Sequence, residues 1–419
     1  MHRFKSTLKH HLEAIVAQPL LAVFFFLPLW QKPIPLLILL SLIQGFKQVD
    51  SRFFRVKKIT ASAVCLILLF CLYLLSICYS DNKIRSVQDL ETKLSLLCIP
   101  IALFTNRERF DFSKAFIYLL AGLTLMMTFC ESMAVYHYLL ELYQISQGTA
   151  APSPIGYNLF FTSYFCPFIH HSYLSLYNLA AVLFLLDAIR RKHIKLDYKI
   201  YFLLFILSLF QLQLLSRAGI IFYTGSIGLF FIRYFRDFKK QILFFASLLL
   251  LLGSISQLTP IGLKVRNQFL EVAGLSEHKP ISGSTVSSVD VRTLIWARSM
   301  ELIGNHFWVG TGNGDSRDAL LASYRAHGMS GALEKQLNCH NQFLETQLSI
   351  GLPGSLILLA LFFLGVYKAI LRTQWVLVLL ILSVAGNYLF ESMLEVQAGS
   401  IFSALLFSLI PLKLEEEEV

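Results

Sequence analysis

Twelve apolar runs punctuate the chain, near residues 14–30, 33–46, 60–79, 93–105, 115–138, 172–188, 199–216, 218–235, 241–257, 353–370, 375–390 and 398–412. A helix needs about 20 apolar residues to cross a bilayer. Most runs approach that length, while 33–46 and 93–105 fall short. They read as about twelve transmembrane helices, an all-α polytopic membrane protein. Composition agrees: 56% of the 419 residues are hydrophobic and 15% charged, against roughly 45–50% and about 25% in soluble domains.

The net charge of +10 raises the question of nucleic acid, and its distribution argues against that partner. Lys and Arg fall in short blocks between apolar runs, the pattern of cytoplasmic membrane loops. With the N-terminus inside, one side receives Arg3, Lys5 and Lys9, then 47–58, 107–114, 190–199, 233–240, Lys368, Arg372 and Lys413. The short loops of the other side are nearly free of basic residues. Both termini are therefore expected in the cytoplasm, including the tail EEEEV, for which no role is expected. Pro28 and the lack of a small-residue cleavage site favour a retained first helix over a signal peptide.

One segment breaks the alternation of span and short loop. The chain divides into 1–257 (helices one to nine), 258–352 (a long outer loop) and 353–419 (helices ten to twelve and the tail). Loops that long are usually functional. This one has a helical pattern of its own, with Val291, Leu294, Ile295, Arg298 and Leu302 on one face, and Asp290 placed to cap it. The turn 310-GTGNGD-315 follows, and 351-GLPG-354 reads as the turn leading into helix ten. A second outer segment, 139–171, contains 151-APSPIGY-157 and ends in 170-HHSY-173. No internal repeat is evident. The seven cysteines form no C-x-x-C and no framework; Cys130 and four others lie in apolar runs, where a thiol serves as a small hydrophobe.

Three outer residues stand out chemically. Arg217, in 211-QLQLLSRAGIIFYTG-225, lies between two apolar runs, where an arginine is costly and a functional candidate by default; the alternative, snorkelling to headgroups, suits a cytoplasmic flank better. Arg292 opens the loop helix and Arg298 follows nearly two turns on, which also suits a helix resting on a membrane surface. His340 is a general-base candidate by type, raised above the other outer histidines by its place at the membrane edge. His171 and Tyr173 before helix six, and Glu391 and Glu395 at i, i+4 before helix twelve, are secondary candidates. The outer loops hold no H-E-x-x-H and no D-x-D, so a metal-dependent mechanism is not favoured. Gly310, Gly312 and Gly314 lack Walker spacing and read as a tight turn rather than a phosphate loop. Arginines match diphosphate oxygens bidentately, and a histidine can deprotonate a hydroxyl. Together they describe transfer from a lipid diphosphate to an alcohol.

The segments 216-SRAGI-220, 291-VRTLIWARSMELIGNHFWVGTGNGD-315 and 340-HNQFLETQLSIGLPG-354, in this order and spacing, resemble the O-antigen ligase and polymerase family of bacterial inner-membrane proteins. The resemblance is good from about 200 to 370; 170-HHSYLSLY-177 and 391-ESMLEVQAG-399 extend it less specifically. It implies a GT-C-like, metal-independent glycosyltransferase with no cofactor, facing the periplasm. The implied donor is an undecaprenyl-diphosphate-linked glycan and the implied acceptor lipid A-core or a second lipid-linked glycan. Residue by residue, it implies diphosphate binding and leaving-group stabilisation for Arg217 and Arg292, and general base for His340. Ligase is the first expectation and repeat-unit polymerase the second. A lipid-glycan transporter is a third, disfavoured because mid-helix charges are scarce and polar groups gather on one side.

Overall fold

The computed structural model describes residues 18–47, 59–148, 159–234 and 288–416. Among them it holds sixteen α-helices and no strand. In chain order these are α1 (Pro19–Phe26), α2 (Ile34–Phe46), α3 (Ala61–Ser76), α4 (Lys83–Lys93), α5 (Ser95–Thr105), α6 (Phe112–Ser146), α7 (Thr162–Phe165) and α8 (His171–Arg190). There follow α9 (Tyr198–Gln213), α10 (Arg217–Tyr234), α11 (Ser288–Asn305), α12 (Ser316–Ala326), α13 (Ser330–Glu334), α14 (Gln342–Leu371), α15 (Trp375–Phe390) and α16 (Gln397–Glu416). The apolar run 241–257, the loop residues 258–287, the segment APSPIGY and the last three residues of the tail lie outside the described residues.

The all-helical expectation holds. By length and composition, α6, α8 and α14 are long and apolar enough to cross a membrane; five shorter apolar helices, α2, α3, α9, α15 and the 397–409 part of α16, span 10–17 residues. A 16-residue helix is about 24 Å long, less than the roughly 30 Å hydrocarbon core, so helicity of the apolar runs alone does not make each of them a span.

The chain gathers into two compact units. The first comprises Met1–Leu123, Arg292–Gln374 and Tyr388–Val419; the second comprises Thr124–Val291 and Trp375–Asn387. In the first, α3, α5, α14 and α16 pack together. Their core is Leu66, Leu69, Ile99, Leu103, Leu358, Leu361 and Ile401, each at most 1% exposed. The Phe362 ring meets Tyr388 and Phe407 edge-on at 5.1 and 5.0 Å. In the second unit α8 is the central helix, buried almost from end to end, with α9 and α10 against it. Polar side chains tie it to α9: Asn178 donates to Leu207 O and Gln211 Oε1, both at 2.9 Å, and Gln211 donates to Ser175 Oγ at 2.5 Å. A Cβ on Gly219 of α10 would strike Ser175 Oγ, so glycine there sets the α8–α10 approach.

Two sequence expectations are corrected. The apolar run 353–370 is only the second half of α14, which begins at Gln342. The GLPG stretch breaks the helix ahead of that run, with Gly351 at the non-helical φ 67°, ψ −163° and Pro353 just beyond, so it leads into the run as expected; what the sequence did not show is the stretch of helix before the break. Hydropathy misses the first half because Gln342, Glu345, Thr346 and Ser349 are polar; their helical spacing places them on one buried face. Asp290 lies inside the first turn of α11, which starts at Ser288, rather than at its cap.

The glycine-rich turn does more than reverse the chain. Thr311 N–H and Gly312 N–H donate to Leu348 O and Ser349 O (2.7 and 3.0 Å), and Leu352 N–H donates to Phe307 O (3.0 Å), clasping 307–312 to the kink. A Cβ at Gly310 would lie 2.5 Å from the Ser349 carbonyl carbon; one at Gly351 would strike Trp308 O. The alanine variant at Gly351 combines a left-handed backbone with a backbone clash and is expected to destabilise by about 2 kcal/mol or more. Gly304→Ala, where nothing lies within 4 Å, should stay within about 1 kcal/mol. Thermal melts in detergent compare the two; equal midpoints would refute the clasp.

Candidate functional site

In the first unit, the approach to α14 is built by short side chains that satisfy the backbone locally. Asn341 caps the helix, its Oδ1 accepting from Phe343 N–H (2.9 Å) and Leu344 N–H (3.1 Å). Asn338 Oδ1 accepts from His340 N–H at 3.0 Å. Between them His340 takes φ 45°. Five non-glycine residues among those described have positive φ, and four of them (Lys192, Leu215, Gln336 and Thr373) stand two residues past a helix end. That is where a left-handed residue ordinarily stops a helix. His340 does not, so its backbone is held by its surroundings.

Those surroundings centre on the preceding residue. Cys339 N–H donates to Glu345 Oε2 at 3.1 Å, Cys339 O accepts from Trp296 Nε1 at 3.0 Å, and its sulfur receives Ser299 Oγ at 3.4 Å. Burial, reinforced by the Glu345 carboxylate, pushes the Cys339 thiol well above its ordinary range, which leaves it unreactive. Glu345, 2% exposed, also receives Ser316 Oγ at 3.2 Å. Thus α11, α12 and α14 all hold the residue beside His340.

The His340 ring faces Glu391. Its Nδ1 lies 3.6 Å from Glu391 Oε2, while Arg292 Nη2 donates to Glu391 Oε1 at 3.1 Å. One carboxylate, 13% exposed, therefore serves both residues. Trp296 braces the same corner, its ring 6.4 Å from Phe390. Beyond Glu391 the chain forms a 3-10 turn, Met393–Glu395. That turn is tied to α14, because Leu394 N–H donates to Gln342 Oε1 at 2.6 Å.

The two glutamates, four residues apart before α16, do not act as a pair. Residues 391 and 392 are not helical, and the two carboxylates take separate partners. Glu395 Oε2 receives the fully buried Lys93 Nζ at 2.8 Å, an ion pair that fixes the turn to the end of α4. Arg298 goes elsewhere: its Nη1 meets Glu301 Oε2 at 2.6 Å and His327 Nε2 at 2.7 Å, on an exposed part of α11 and α12.

Three candidates belong to the second unit. Arg217 is the first residue of α10, after a turn in which Leu215 has φ 44° and Ser216 Oγ accepts from Gly219 N–H at 3.1 Å. A cation at a helix N-terminus adds to the positive end of the macrodipole, so helix stability does not account for it. His171 opens α8, with His170 capping it through Ser172 N–H at 3.4 Å. The rings of His170 and His171 lie 4.2 Å apart, and buried Tyr173 is 5.8 Å from His170.

Sequence reading did not find the roles of Trp296, Cys339, Gln342, Glu345 and Lys93. The available sign was the polar spacing 342, 345, 346, 349, a stripe too regular for a solvated flank. Residues 202–359 match the family model described as O-Antigen ligase. That match bears out the resemblance read from the motifs and supports a role in glycan transfer in O-antigen biosynthesis. Arg217, Arg292 and His340 fall inside the matched segment and Glu391 beyond it. None of the curated proteins matches the chain.

Glu391→Ala removes the partner of a half-buried guanidinium. It is expected to lower stability by about 1–3 kcal/mol, more than Glu301→Ala, whose partner Arg298 is a surface residue. Parallel melts of the two variants check this; a smaller loss for Glu391→Ala would show that the shared carboxylate holds nothing in place.

Proposed function

We propose that this protein transfers an O-antigen-like glycan from undecaprenyl diphosphate to a hydroxyl of lipid A-core, at the periplasmic face of the bacterial inner membrane. The observation that carries the reading is the Glu391 carboxylate bridging Arg292 and His340, two motif residues placed side by side. His340 is the general base: it takes the proton as the acceptor oxygen forms its bond to the anomeric carbon. The bond from that carbon to the diphosphate oxygen breaks in the same displacement, inverting the configuration. Glu391 orients the imidazole and stabilises the imidazolium as it forms, the part a carboxylate plays behind a catalytic histidine. Arg292 keeps guanidinium donors beyond the one given to Glu391 and serves the leaving diphosphate. For Arg217 the proposed role is also diphosphate binding, supported by the resemblance and by its place where amide N–H groups at a helix start favour an anion. Neither a metal nor a cofactor enters this scheme.

Reconstitution with undecaprenyl-diphosphate glycan and two acceptors tests the reading. Glycan appearing on lipid A-core supports a ligase. Lengthened lipid-linked glycan makes the protein a repeat-unit polymerase with the same donor chemistry, and donor moved across the bilayer unconsumed makes it a transporter. His340→Ala is expected to lower turnover about 10²–10⁴-fold, and Arg217→Ala and Arg292→Ala about 10²–10³-fold each. Turnover near wild type in His340→Ala would remove the base assignment. Arg217→Lys should recover only part of the loss, since an ammonium lacks the fork that meets two oxygens at once.

A further inference from the structure

In the first unit, the clasp between the glycine-rich turn and α14 leaves an apolar corner in the open. Phe307, Trp308 and Val309, which follow α11, are 42%, 71% and 59% exposed, and the Phe307 and Trp308 rings meet edge-on at 5.3 Å. On a surface that faces water, exposed hydrophobes are ordinarily scattered singly, and a contiguous group marks a contact. Nor is the corner loose. Phe307 O accepts from Leu352 N–H at 3.0 Å and from Gln347 Nε2 at 2.8 Å. Val309 O accepts from Tyr79 OH at 2.7 Å, and His306 O accepts from Gly310 N–H at 2.9 Å. Carbonyls already taken in this way can leave water without losing a hydrogen bond, which a loop of open carbonyls cannot do.

The elements beside the corner identify what covers it. Trp308 stands against Gly351, where an added Cβ would strike its carbonyl oxygen, and the apolar run of α14 begins directly after that break. By length and composition α14 can cross a membrane, and its Leu356, Leu359 and Phe363 are exposed. Tyr79, bonded to Val309, stands just beyond α3, an apolar helix whose Leu74 and Leu75 are likewise exposed. The corner thus continues the exposed apolar surfaces of two helices at the end where their apolar runs stop. Polar groups adjoin it there: Asn305 and His306 are exposed, as is Lys83, which bonds to the carbonyls of Ile77 and Cys78. Apolar surface giving way to polar groups is the setting of a bilayer's headgroup boundary. Tryptophan, with an apolar body and a polar N–H, collects at that level. We infer that Phe307, Trp308 and Val309 form a membrane anchor, inserted into the phospholipid leaflet beside α3 and α14 at the headgroup–acyl boundary. The anchor holds α11 at the end away from Arg292, and so sets the depth of the helix that carries Arg292. The inference rests on α14 crossing a membrane and is independent of donor and acceptor chemistry.

The fluorescence of Trp308 in the full-length protein, reconstituted into phospholipid vesicles, tests the anchor. Because the chain holds four tryptophans, the signal is taken as the emission of the wild type minus that of Trp308→Phe. It should be quenched most by phospholipid carrying a nitroxide near the glycerol end of its acyl chain. A nitroxide near the methyl end should quench it less, and iodide in the water least. Strongest quenching by iodide places the residue in water, strongest quenching from the methyl end places it in the bilayer core, and no response to any quencher places it under protein. Each of these overturns the inference. Photocrosslinking gives a measurement that needs no difference signal. Benzoylphenylalanine replaces Trp308 in one variant and the exposed Lys335 in another, and both are irradiated in vesicles of radiolabelled phospholipid. Lipid adducts should form severalfold more at the first position. Equal yields at the two positions, or adducts from the first to protein in place of lipid, also overturn it.

Discussion

The first unit depends on a polar face buried at the start of α14. Gln342, Glu345, Thr346 and Ser349 lie at helical spacing and are almost wholly shielded. Each unpartnered buried polar group would cost about 1–3 kcal/mol, so the neighbouring elements must arrive in register. Glu345 receives Ser316 and the Cys339 amide. Gln342 receives the Leu394 amide, and Thr346 meets Tyr73 at 3.2 Å. Three stretches far apart in sequence, together with Cys339 just ahead of the helix's cap, are positioned by one and a half turns of helix. An apolar face would hold the same elements with less directional demand.

The precision this confers is spent at His340. A non-glycine residue in the left-handed region is uncommon, and the other four examples end helices. Here the conformation follows from Cys339 being held on both its amide and its carbonyl, with Asn338 and Asn341 on either side. A loop of that kind fixes a ring direction that a surface histidine would not keep.

The helical character, the apolar runs and the three motif segments were legible in the sequence because each is a local pattern of period, charge or composition. Arg292 and His340 could be singled out singly, yet their meeting could not, since Glu391 joins them from a stretch beyond the glycine turn and α14. Glu391 and Glu395 stand four residues apart in sequence, but the 3-10 turn separates them and gives each its own cation, which spacing alone does not reveal. The start of α14 escaped hydropathy for the opposite reason. Its polar residues are internal, so a scale that equates polar with solvated begins the helix eleven residues late. The number of membrane spans is a question of length against bilayer thickness, and helices such as α3 and α9 fall under that length.

A carboxylate divided between two side chains couples them. Glu391 gives one oxygen to Arg292 and turns the other toward His340. Moving the guanidinium leaves the carboxylate to the imidazole alone, and moving the imidazole leaves it to the guanidinium. The positions of Arg292 and His340 are therefore coupled through Glu391, and by linkage each acts on the other to the same extent.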